Sequence, residues 1–173
     1  MVQHLLVSAL LAVFALLVIV AALKDVTTFT IPNWISVSLV LAFYPAALAA
    51  GVPLGVIGVC TAVGACALVA GMAMFAVGWI GGGDAKLLAA TALWIGWPAV
   101  LPFLLVTALA GGALALILLQ MRSALLRPLL ETGPAWIARL AKDGGDAPYG
   151  VAIAIGALII LPRSPLLAAV AGG

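Results

Sequence analysis

Residues 54–86 read LGVIGVCTAVGACALVAGMAMFAVGWIGGGDAK, an uncharged run that ends abruptly in three glycines, an aspartate, an alanine and a lysine. A bilayer core about 30 Å thick is crossed by roughly 20 apolar residues in helical form, so positions 54–80 are long enough to span it. Gly55, Gly58, Gly64 and Gly71 are scattered along the run. Small residues at such spacings let helix backbones approach closely in lipid, which predicts a helix packed centrally in a bundle. Gly81, Gly82 and Gly83 then break the pattern immediately before Asp84.

The same signal repeats outward in both directions. Of the 173 residues, 67% are hydrophobic and 7% charged, and the mean hydropathy is +1.40, whereas a soluble domain is roughly 25% charged. The expected fold class is an all-α membrane protein, one transmembrane domain over residues 1–173 with about six spans near 3–23, 33–50, 54–80, 85–97, 99–121 and 149–162. The length leaves no room for a separate soluble domain. The first span is expected to stop at Lys24-Asp25 and to be followed by a polar loop, Val26 to Thr30. Pro32 suits the first turn of a helix, where its missing N–H would have had no partner, so the second span should open near Asn33. The fourth span is short for a crossing. Either the turn residues join it, or it extends past Pro98, or it is re-entrant. The apolar stretch 2–23 lacks a basic n-region and exceeds the length of a signal-peptide core, and so reads as a span.

Between positions 122 and 148 the character changes. Arg122, Arg127, Glu131, Arg139, Lys142, Asp143 and Asp146 alternate with Leu125, Leu126, Leu129, Leu130, Trp136, Ile137 and Leu140. That mixture suits one or two amphipathic helices lying in the membrane interface before the last span, broken at Gly133-Pro134. Basic residues are retained on the cytoplasmic side of a membrane. Lys24, Lys86, Arg122, Arg127, Arg139 and Lys142 all fall in the first, third and fifth loops, against Arg163 alone on the other face. The expected orientation therefore puts Asp25 and Asp84 at the cytoplasmic face and both termini opposite. A net charge of +2, dispersed along the chain, excludes the clustered basic face that nucleic-acid binding needs. The lipid bilayer is the partner implied.

Ionisable groups at membrane depth are costly and mark function by default. Singly, each aspartate has a plain reading: Asp25 beside Lys24 marks where a helix leaves the bilayer, and Asp84 caps a helix after the glycine break. As a pair they are the only aspartates adjoining the spans on that face. Two carboxylates that share a proton and a water can hydrolyse a peptide, the ionised one taking a proton from water while the protonated one polarises the carbonyl. Asp84 should lie at a helix N-terminus, whose dipole favours the ionised form, and Asp25 near a helix C-terminus, which makes Asp84 the base and Asp25 the acid; Lys24 acts against this assignment. The single histidine, His4, sits at the far end of the first span, so a serine triad is hard to build, and no His-Glu-x-x-His cluster is present for a metal. Cys60 and Cys66, six apart in an apolar stretch, read as packing residues. No metal and no cofactor is expected.

Gly81-Gly82-Gly83-Asp84-Ala85-Lys86-Leu87 resembles the G-x-G-D-x-K signature of type IV prepilin peptidases, the bacterial GxGD membrane aspartyl proteases. Asp25 ahead of Ile31-Pro32-Asn33 is similar to their first motif, and Pro148-Tyr149-Gly150 at the start of the last span echoes a third. The motifs stand in the family's order, and the hydrophobic pattern matches across essentially the whole chain. The resemblance implies an aspartic endopeptidase of the bacterial inner membrane, acting in pilus biogenesis, that removes the short basic leader from prepilins or pseudopilins at the cytoplasmic face. Asp25 and Asp84 would be catalytic, and Gly81, Gly82, Gly83, Lys86, Ile31, Pro32, Asn33, Pro148, Tyr149 and Gly150 would support them. It further implies the minimal form seen in tight-adherence (Flp) pilus systems, without the N-methyltransferase segment of larger members, and contact with pilus-assembly machinery. One departure is the loop between Asp25 and Ile31, often basic in the family and here Val26-Thr27-Thr28-Phe29-Thr30; it bears on substrate contact rather than on the acid pair. Two readings from other classes remain at this point: a small ion-coupled transporter using the two aspartates, and a non-catalytic assembly subunit.

Overall fold

A computed structural model of the chain describes residues 2–123, 125–130, 132–142 and 147–172. Glu131, Asp143 and Asp146 of the interfacial stretch, and the side chain of His4, lie outside the described residues. Among these residues the chain is helical throughout: α1 (Val2–Thr28), α2 (Asn33–Ala49), α3 (Leu54–Ala76), α4 (Gly82–Ile95), α5 (Val100–Met121), the short α6 (Arg127–Leu130) and α7 (Ala135–Leu140), α8 (Tyr149–Ile160), a 3-10 turn (Leu161–Arg163) and α9 (Pro165–Gly172).

Four stretches are long and apolar enough to cross a membrane: Leu5–Thr28, Leu54–Ala76, Val100–Met121 and Tyr149–Val170. With 17 residues, α2 reaches about 25 Å at a rise of 1.5 Å per residue, and with 14 residues α4 reaches about 21 Å. The glycine turn does join α4, which begins at Gly82 and ends at Ile95, before Pro98. The fourth helix can be short because it does not face lipid. Ten of its 14 residues are buried, packed among α2, α3 and α8, so its length answers to its neighbours rather than to bilayer thickness. Trp94 anchors it: the fully buried indole donates from Nε1 to the Leu39 carbonyl at 2.8 Å. Its ring centroid lies 4.8 Å from that of Phe14 on α1 and 5.8 Å from that of Phe43 on α2.

The central helix is thus α4, and the expectation of a central third span is corrected. Only four of the 23 residues of α3 are buried, and its one extensive contact is with α4. The glycines explain both facts. Gly64 and Gly71, two turns apart on one face, touch α4 so closely that an added Cβ would stand 3.0 Å from Leu93 Cβ and 3.1 Å from Ala85 Cα. Gly55 and Gly58 meet no atom that close and face outward. The two cysteines differ likewise: Cys60 is buried and Cys66 is exposed, so only Cys60 packs within the chain.

Because α3 leans chiefly on α4, a groove flanks it on each side. One, of about 560 Å³, lies between α2 and α3 and is lined by Val37, Val40, Leu41, Leu68 and Leu93, with Asn33 and Lys86 at its mouth. The other, of about 460 Å³, lies between the end of α3 and α5.

The start of α1, the end of α2 and the tip of α9 share one end of the bundle, where Gln3, Ala49 and Val170 line a common pocket. The opposite end gathers the end of α1 and the starts of α2, α4 and α8. There α7 packs against α1, and Arg122 Nε donates to the Leu140 carbonyl at 3.1 Å.

Candidate active site

Asp25 sits inside α1 rather than in a loop, three residues before its end. Threonine is a poor helix former in isolation, yet here the Thr27 and Thr28 hydroxyls donate to the Leu23 and Lys24 carbonyls at 2.7 Å each, which carries the helix past the expected stop. Phe29 then closes it with a φ of 53° and an N–H donated to the Asp25 carbonyl at 2.9 Å. A left-handed residue just beyond the last helical one is a common way to satisfy terminal carbonyls.

The Asp25 carboxylate points across the bundle and accepts the N–H of Gly150 at 2.7 Å on Oδ2. Gly150 is the second residue of α8, so its N–H is among those the helix cannot satisfy internally. No other residue type fits that place without displacing the acid. A Cβ on Gly150 would lie 2.8 Å from Asp25 Oδ2 and 2.9 Å from Ile31 Cδ1.

Asp84 is the third residue of α4, and its Oδ2 accepts the Gly81 N–H at 3.2 Å. It is therefore placed just inside the helix start rather than on the cap itself. Asp25 and Asp84 are 5% and 6% exposed, although they stand at the end of the bundle where the chain's polar loops lie. Ile31 joins them. Its Cβ would be 3.1 Å from a Cβ on Gly83, next to Asp84, and its Cδ1 abuts Gly150, the partner of Asp25. One isoleucine, itself 8% exposed, thus spaces the two acidic motifs.

Helix ends bear on both acids. Asp84 lies in the first turn of α4 and accepts the Gly81 N–H. Asp25 lies in the last turn of α1 and also accepts from the first turn of α8, a helix N-terminus that the sequence did not reveal.

The other motif residues divide by function. Pro32 and Pro148 precede the first residues of α2 and α8. Lys86 Nζ donates to Asn33 Oδ1 at 2.8 Å, pinning the start of α4 to the start of α2. Lys86 and Asn33 thereby face the α2–α3 groove, away from the cleft that Asp84 lines. Tyr149 lines that second cleft together with Asp84, and its ring rests against Gly111 of α5. Gly82 meets only the Phe75 ring, at 3.4 Å. Met74, Trp79, Leu104, Thr107 and Gly112 also line the Asp84 cleft. Sequence reasoning missed them, since apolar residues in apolar spans look alike; the adjacent Gly111 and Gly112 inside a span were the one visible signal. Among the described residues no three His, Cys, Asp or Glu side chains come together as a metal site would need.

A family model described as the type IV leader peptidase family matches residues 12–116, a stretch that contains both Asp25 and Asp84 and ends within α5. No curated protein and no solved structure matches the chain.

Proposed function

Since the chain belongs to the type IV leader peptidase family, we propose that it is a membrane aspartic endopeptidase in which Asp25 and Asp84 are the catalytic residues. The observation that carries this reading is a pair of buried carboxylates, 59 positions apart in sequence, whose neighbours Gly150 and Gly83 both pack against Ile31. In the reaction the ionised acid removes a proton from water as the oxygen adds to the scissile carbonyl carbon. The protonated acid gives its proton to the carbonyl oxygen. Collapse of the tetrahedral species returns that proton to the pair, breaks the C–N bond and protonates the leaving amine.

The substrate is a prepilin or pseudopilin, of the Flp type that the motif resemblance implies, and the product is the leaderless subunit. Cleavage takes place at the cytoplasmic face of a bacterial inner membrane, the side that retains basic residues. Lys24 and Lys86 stand at the same bundle end as the two acids, and Arg163 stands at the other. A basic leader would be held near that interface while its neighbouring residues lie in the membrane. The supporting roles go to Gly81, Gly83, Gly150 and Ile31, which place the acids, and to Pro32, Asn33, Lys86, Pro148 and Tyr149, which set the helix starts around them.

The test is co-expression with candidate prepilins from the same genome, following leader loss by gel shift. Wild type should process one of them. Asp25→Asn and Asp84→Asn should each abolish processing while inserting normally, because asparagine is nearly isosteric but cannot share the proton. A variant that processes at close to the wild-type rate would exclude the two-acid mechanism.

A further inference from the structure

The cleft between α3 and α5 has a geometry that the catalytic pair does not use. Asp84 lines one end of it, and from there it runs along α5 from Ala115 to Leu104, with Leu88 and Trp79 among its walls. Eleven helical positions cover about 17 Å, roughly half the thickness of a bilayer core. The walls beyond Asp84 are almost wholly apolar. α3 and α5 do not pack on each other, so the cleft opens sideways toward lipid.

Gly112 lines it and is exposed, and among the described residues no atom outside its own stretch of α5 comes within 4 Å of where its Cβ would be. Its neighbour Gly111 has an internal reason to lack a side chain, the Tyr149 ring 3.5 Å from where its Cβ would be. Glycine is a poor residue for a helix interior, and in lipid it is used where something must approach the backbone closely. None of the described residues makes that approach at Gly112.

We propose that this cleft holds the apolar run of the substrate adjoining the scissile bond, with Gly112 limiting the size of the side chain that can lie against α5. The proposal rests on the peptidase reading above and adds to it the path of the substrate. The peptide enters sideways from the bilayer between α3 and α5, its apolar run along α5 and its scissile bond at the Asp84 end. The α2–α3 groove, on the far side of α4 and lined by Lys86 rather than an acid, is not the path.

The test uses the full chain in detergent with a full-length prepilin from the same genome. Leucine at 112 should lower kcat/KM at least roughly tenfold, chiefly through KM, the scale on which a pocket discriminates one or more methylenes. Gly112→Ala, which adds one carbon where leucine adds four, should fall by less than Gly112→Leu does. Ala65→Leu, which narrows the other groove, should cleave as wild type. Prepilins whose large apolar residues are trimmed to alanine one at a time should include one that recovers cleavage by Gly112→Leu. Matched melting temperatures keep the comparison on folded protein. Should Gly112→Leu fail to accumulate, Ala108→Leu, one turn deeper and exposed in the same cleft, gives the same readings. A wild-type rate for the cleft variant, an equal loss in Ala65→Leu, or no recovery with any trimmed prepilin overturns the inference and leaves the peptidase reading standing. A wild-type chain that cleaves no prepilin overturns both.

Discussion

Two glycines carry more of the candidate site than their size suggests. Gly150 gives Asp25 a hydrogen bond and leaves room for it, and Gly83 lies so close to Ile31 that an added Cβ would stand 3.1 Å from the Ile31 Cβ. We therefore predict that Gly150→Ala, which must push the Asp25 carboxylate aside, lowers kcat/KM at least about tenfold, or roughly 1.4 kcal/mol, with the helical circular dichroism unchanged. Gly83→Ala should be milder, since its methyl would stand 3.1 Å from the Ile31 Cβ, a contact that a small shift relieves. Gly82→Ala, which meets only the edge of Phe75, should stay within about twofold, as for a site away from the reacting groups. An inverted ranking, with Gly82 the most sensitive, would sever the placement of the acids from the glycine turn. The two acids stand out in the sequence as candidates because charge is so scarce in an apolar chain. Their partners were not: Gly150 meets Asp25 across 125 positions, and no local pattern encodes that distance.

At the level of the helix, α4 makes one polar contact deep in the apolar core, from Trp94 to α2. Trp94→Phe would remove the bond to the Leu39 carbonyl and leave space beside Phe14 and Phe43. A hydrogen bond between membrane helices is worth about 0.6 kcal/mol on average, and the lost volume adds to it, so a destabilisation of about 1–2 kcal/mol is expected. Unfolding in mixed detergent measures it, and an unchanged midpoint would show that α4 is held by its other contacts. Length and hydropathy made the membrane character and the helical class plain, but they misassigned the centre. A rule based on bilayer thickness treats a 14-residue helix as a defect, whereas one enclosed by its neighbours has no bilayer to match. Scattered glycines likewise pointed to a central α3, when only the two on one face, Gly64 and Gly71, make the approach. The extra turn of α1 escaped notice because threonines read as loop formers until their hydroxyls are seen bonded to the preceding turn.

Over the whole molecule, the six basic residues Lys24, Lys86, Arg122, Arg127, Arg139 and Lys142 belong to the bundle end that holds the acids, and Arg163 to the other. Retention of Lys and Arg on the cytoplasmic side predicts that a reporter fused after Lys142 reads cytoplasmic and one at the C-terminus periplasmic. The reverse at both positions would put the acids on the wrong side for a leader made in the cytoplasm. The shape of the bundle also has a mechanical meaning. α3 is pinned to α4 at two points, Gly64 on Leu93 and Gly71 on Ala85, about 10 Å apart by helix rise, and it is the shared wall of both grooves. The two grooves are thus adjoining rooms with one partition, and α3 is that partition, hung on a single seam along α4.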